Sequence, residues 1–194
     1  MLELSERQAV RTGGTSRRER RRRQRALRER DRRSAKLAEL HHVDALLQEA
    51  STVIERGWIQ HAWFAYDDAA GRRRVLTAYS KRSSSVGPVA ATCLVGAVVH
   101  AAGGPSTARS QLVQRTIDLT WHALFRGQHE QIRWCPSPLE RAGHVQDLAH
   151  WNDDPARRSQ EVTSLLGEAR RLAQVEEERT RAPLTEPSAV AGPG

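Results

Sequence analysis

The chain has little of what several protein classes require. Of its 194 residues only two are cysteines, Cys93 and Cys135. Two thiols build no disulfide framework, and a reducing, cytoplasmic setting is expected. No apolar run reaches the roughly 18 to 20 residues of a membrane span. The longest candidate, Val86 to Ala102, is short and studded with Ala, Gly, Thr and Cys, so no membrane partner is expected. The N-terminal basic residues lead into polar sequence with no apolar stretch behind them, which argues against a signal peptide. Met1 is the only methionine, so any later start would have to be a GTG or TTG codon read here as an internal Val or Leu. Neither glycine pair precedes a Lys-Ser/Thr pair, so there is no phosphate loop. Zinc-finger and RNP motifs are absent, and no clear helix-turn-helix signature is found. Lysine is scarce as well: Lys36 and Lys81 stand against 29 arginines, a balance that high-GC codon use produces.

Charge is abundant, and it is concentrated. Arg17, Arg18, Arg20, Arg21, Arg22, Arg23, Arg25, Arg28, Arg30, Arg32 and Arg33 fall within 17 residues, against Glu19, Glu29 and Asp31. That segment carries a net +8, the formal charge of the whole chain, so the rest sums to zero. Codon use explains Arg over Lys; it does not explain why the net charge sits in one place. Such an arm can neutralise phosphates and release counterions, giving salt-sensitive, largely sequence-independent contact with nucleic acid or another polyanion. The plainer alternative is a solvated charge run. Glu176, Glu177 and Glu178 could also hold the arm in cis.

Apolar spacing predicts the body. Leu37, Leu40, Val43, Leu47, Ala50 and Ile54 recur at three- and four-residue steps, one stripe of an amphipathic helix ended by Gly57. Two short extended segments around an Asp/Gly turn predict a β-hairpin near 58–79, followed by a serine loop. Pro88 to Ala102 reads as one buried helix stopped by Gly103, Gly104 and Pro105. Ser106 or Thr107 is expected to cap the next helix, which runs to Arg126. Ser137, Pro138 and Glu140 make a capping-box start for a fourth, ending near Trp151. Asp153 or Asp154 followed by Pro155 predicts the start of a fifth, with a stripe from Val162 to Ala173. The fold class is mainly α: about five helices packed as one small helical domain with a short β-hairpin. Residues 1–36 are expected to be a basic arm, disordered or a helical extension; 37–178 the domain; and 179–194 a disordered Pro/Gly/Ala-rich tail.

Three short motifs stand out along this order. They are G-W-x-Q (Gly57, Trp58, Gln60), C-L-x-G-A (Cys93, Leu94, Gly96, Ala97) and W-N-D (Trp151, Asn152, Asp153). In this sequence they resemble a family of small actinobacterial and actinophage proteins grouped only as a domain of unknown function. The resemblance spans roughly residues 40–173. It implies a fold unit and a type of host, and no reaction. That family often has Cys where this chain has Ile59, so no chemistry is attached to this position.

The chemical candidates are few. Cys93 could act as a nucleophile with His100, His144 or His150 as base and Asn152 or Asp153 as orienter, but a catalytic thiol needs a lowered pKa. Its surroundings of Ala, Thr, Leu and Val suit a buried core residue instead. Cys135, His144 and His150 are nine and six residues apart, with no tight ligand pair, and His41 and His42 face different sides of a helix; no metal site is expected. Trp58, Gln60, Trp151, Asn152 and Asp153 form a candidate polar-aromatic pocket if the hairpin packs beside the last helix. Their alternative roles are a helix cap, a turn and core. No cofactor is implied. The sequence points to a binding module with a nucleic-acid-contacting arm. The alternatives are a protein-interaction or regulatory module, and a small Cys-dependent hydrolase or transferase.

Overall fold

The computed structural model describes residues 16–77, 88–126, 132, 134 and 136–182. The expected disorder of residues 1–15 and of the tail beyond 182, the serine loop, and Cys135 lie outside the described residues. The chain divides into two compact units, Met1–Ala35 and Lys36–Gly194.

Helix α1 (Arg17–Arg56) begins at the first arginine of the run. Its buried residues, Leu40, Val43, Leu46, Leu47, Ala50, Val53 and Ile54, follow the expected stripe with two additions, Leu46 and Val53. At its end Gly57 lies against the sheet. A Cβ there would fall 2.3 Å from the carbonyl oxygen of Ala90, so only glycine allows the backbones to approach.

Strand β1 (Phe64–Asp67) pairs antiparallel with β2 (Arg73–Leu76), Phe64 facing Leu76 and Asp67 facing Arg73. This is the expected hairpin. Asp68 organises its turn by accepting from the backbone N–H of Ala70 and of Arg72, both at 2.9 Å. The Arg72 N–H chiefly, with Ala70 N–H and the guanidiniums of Arg74 and Arg72, holds the Asp68 carboxyl below its ordinary value against a smaller desolvation effect.

Pro88 to Ala102 is not the single helix that its composition predicts. Val89–Thr92 is a third strand, β3, and the helix α2 is only Leu94–Ala101. The sheet order is β2-β1-β3, so β1 is central, with Phe64, Ala65 and Tyr66 buried. Thr92 faces Phe64, and Ala91 faces Ala65, with a bulge before Tyr66 meets Val89. A short all-apolar run does not distinguish a buried strand from a buried helix; here the free edge of β1 decides. Cys93 is thus the N-cap of α2, not a residue within it.

Two further helix starts shift. Ser106 and Thr107 lie in a 3₁₀ turn (Pro105–Thr107), and Ser110 caps α3 (Gln111–Phe125) by accepting from Val113 N. Ser137 and Glu140 form the expected capping box on α4 (Pro138–Asn152). Neither Asp153 nor Asp154 caps α5, which starts at Ser159 and runs to Arg181. Asp154 instead closes a turn through Ala156 N at 2.9 Å. At the true start Arg158 N donates to Glu161 Oε2 at 2.9 Å. The apolar faces of α1, α2, α3, α4 and α5 meet the sheet in one core containing Leu47, Ile54, Phe64, Val98, Val113, Leu148 and Leu166. Among the described residues, no helix is long and apolar enough to cross a membrane.

Candidate functional site

The three sequence motifs meet at one side chain. Asn152, the last residue of α4, is fully buried. Its Oδ1 accepts from Trp58 Nε1 at 2.8 Å and from the backbone N–H of Leu94 at 3.1 Å. Its Nδ2 donates to the Ile59 carbonyl at 3.2 Å and to Asp153 Oδ1 at 2.9 Å. Both functions of the amide are therefore used in joining the segment after α1, the start of α2 and the end of α4. Gln60 adds two bonds, from Nε2 to the carbonyls of Asn152 at 3.0 Å and Asp154 at 2.7 Å. Asp153 Oδ1 also accepts from His61 N at 2.8 Å. That bond anchors His61, which has a φ of 61°. Trp58, Gln60, Asn152 and Asp153 are thus brought together, with their polar atoms turned to one another and to backbone. Trp151 stands apart from these bonds: Arg157 lies 4.0 Å over its ring and donates to its carbonyl at 3.2 Å.

Cys93 adjoins this joint. Its Sγ accepts from Gly96 N at 3.3 Å, and its own N–H donates to the Trp63 carbonyl at 3.3 Å. A thiol at a helix N-terminus is ordinarily acidified. Here burial wins and pushes the thiol from 9.0 up to about 11, with Asp153 pushing the same way and the Gly96 N–H opposing. Among the described residues no histidine bonds to it. His144 is engaged elsewhere and His150 is exposed on α4.

The folded state holds the Cys93 proton more tightly than the unfolded chain, so this contribution to stability is whole below about pH 9 and falls as pH rises toward 11. The expected loss is about 2 to 3 kcal/mol, at ~1.4 kcal/mol per pH unit. Urea midpoints at pH 8 and pH 10.5 should separate wild type from Cys93→Ala, which lacks this slope. Equal slopes would contradict the burial.

A second polar cluster was missed from sequence. Asp118 on α3 is buried, its side chain 2% exposed. Oδ2 takes Arg141 Nε at 3.0 Å, and Oδ1 meets His144 Nδ1 at 2.8 Å. Arg141 Nη1 reaches Gln114 Oε1 at 2.9 Å. His144 stacks on Trp121, centroids 4.0 Å apart, and Trp121 Nε1 donates to Asp147 at 2.8 Å. The available signal was Asp118 itself, an acid between Ile117 and Leu119 in a helix whose turn from Thr116 to Thr120 is buried on every side. A charge there requires partners, and Arg141 and His144 sit three apart on one face of α4.

The arginines of the arm lie on α1, with Arg17 to Arg32 exposed and Arg33 half-buried. Two of the three acids proposed to hold it have partners within the second unit. Glu177 meets His41 Nε2 at 2.7 Å and Arg181, and Glu176 meets Arg179 at 2.7 Å. Among the described residues no group of three or more His, Cys, Asp or Glu is placed to hold a metal ion.

Fold and joint together define a small, mainly helical domain with a three-stranded antiparallel sheet, its distant segments locked by one buried amide. The chain belongs to the family of unknown function DUF6197, whose model matches residues 38–172. No curated protein and no solved structure matches it.

Proposed function

We propose that this chain is a small helical binding module whose arm, Arg17 to Arg33, contacts nucleic acid through its phosphates without reading sequence. One observation carries this: all the net charge of the chain, +8, lies on one segment of α1. Seventeen helical residues span about 25 Å, and their spacing sets guanidiniums on every side. Duplex DNA carries a negative charge per about 1.7 Å of axis, so such a rod can meet several phosphates at once. Arg also forks onto phosphate oxygens and stays charged at all working pH. The scarcity of lysine supports a high-GC, actinobacterial or phage-like source, and a buried, protonated Cys93 suits the cytoplasm.

Replacing Arg21, Arg22, Arg23 and Arg25 together by Gln keeps good helix formers in place. Fluorescence anisotropy with random-sequence duplex DNA and single-stranded RNA at 100 mM salt should show affinity falling about tenfold or more, alike for different sequences. Unchanged affinity would overturn the reading. Co-purification of a protein partner through nuclease treatment, with no nucleic-acid binding, would favour the interaction-module alternative.

A further inference from the structure

We propose that the cleft walled by the hairpin, α3 and α4 binds a small organic anion: an apolar body carrying one carboxylate, sulfonate or phosphate group. The cleft measures about 1,110 Å³, and every residue lining it belongs to the Lys36–Gly194 unit. Ligand sites commonly enclose about 300 to 1,000 Å³, so a molecule of ordinary metabolite size fits.

Its apolar wall comes from Trp63, Phe64, Leu76, Val99, Ile117 and Val145. A bare inorganic ion would leave this surface uncovered, whereas an aromatic or aliphatic body would cover it. The charge along the lining is unbalanced: Arg109 and Arg141 stand against one acid, Asp118. Elsewhere in the unit the arginines largely meet acids, as Arg72 and Arg74 do on Asp68, Arg73 on Asp67, and Arg170 on Asp44. Arg109 is exposed and makes no ion pair or hydrogen bond to any described residue.

Arg141 is held for the task. Asp118 fixes its Nε, Gln114 fixes Nη1, and His144 holds the other oxygen of Asp118. Its remaining nitrogen, Nη2, takes no partner among the described residues. A guanidinium whose rotamer is already set loses little freedom on binding, and it offers a planar donor to a carboxylate or phosphate. A buried ion pair is seldom a net source of stability, because desolvation offsets the attraction. Its place on the wall of this cleft is better explained by orientation of Arg141. The charge selects an anion; the wall selects its apolar body.

The test uses the full chain and the dye 8-anilino-1-naphthalenesulfonate, displaced by decanoate or by 1-decanol. Wild type should bind one dye per chain, and decanoate should displace it at about tenfold lower concentration than decanol. Ala142→Trp, at an exposed position lining the cleft on α4, should weaken dye binding about tenfold while leaving thermal unfolding unchanged. Arg109→Gln removes no bond within the described protein and should weaken decanoate several-fold, leaving decanol as in wild type. No dye binding by wild type, equal displacement by decanol and decanoate, or a wild-type response from both variants would overturn the site. If Ala142→Trp proves unstable, the Arg109→Gln comparison decides alone.

Discussion

Replacing Asn152 by Ala should lower the unfolding free energy by about 4 kcal/mol, seen as a downward shift of the urea midpoint with little change in slope. The substitution leaves three groups without their partner around a buried side chain: the Trp58 indole N–H, the Leu94 N–H and the Ile59 carbonyl. Each orphaned buried group costs about 1 to 3 kcal/mol, and the sum is reduced where relaxation admits water. The cost is spread over three segments far apart in sequence, so it should appear as global destabilisation, not as fraying of one helix. Asn152→Asp is a sharper control. It keeps an acceptor for Trp58 and Leu94 but sets a buried carboxylate against the Ile59 carbonyl and Asp153, so it should also destabilise. A change below about 1 kcal/mol for Asn152→Ala would place the joint outside the cooperative core.

Gly96→Ala has the second large effect, and its sign opposes propensity. In a helix interior Ala is favoured over Gly by about 1 kcal/mol. At this position a Cβ would sit 2.1 Å from the carbonyl oxygen of Trp63 and 2.9 Å from its carbonyl carbon. The obstacle is backbone, and it is pinned: Trp63 N donates to Leu76 O at 2.9 Å, while its carbonyl accepts from Cys93 N. Relief requires α2 and the hairpin to separate, at a cost of about 3 kcal/mol net of the propensity gain. For a domain of this size that is a fall in Tm of roughly 10 °C. A neutral or stabilising result would contradict the close approach of α2 to Trp63.

The parts of this fold that could be read in advance rest on local chemistry. Ser137, Pro138 and Glu140 specify a helix start among themselves, and the start of α4 falls there. The stripe of α1 and the Asp68 turn are equally local. The parts that escaped depend on distant partners. Val89 to Thr92 becomes a strand because β1 offers an edge, and that edge comes from a segment more than twenty residues earlier. Asp153 and Asp154 have the composition of helix caps, yet Asp153 is taken by His61 and Asn152, and the turn after it delays α5 to Ser159. By composition Asn152 is a turn residue beside a candidate pocket; its role as a joint requires Trp58, Ile59 and Leu94 to arrive together. Asp118 announced itself only as a charge at a position where the helix is buried.

The motif residues thus account for how the domain holds together, and the proposed function rests on the arm. Its most direct test is the salt dependence of binding by the full chain to random-sequence duplex DNA, from about 50 to 300 mM. An arm engaging five or more phosphates should give a slope of log Kobs against log salt of about −4 or steeper. A flat slope, or no binding at the lowest salt, would show that the eleven arginines of Arg17 to Arg33 form a solvated helix end and not a phosphate-binding arm.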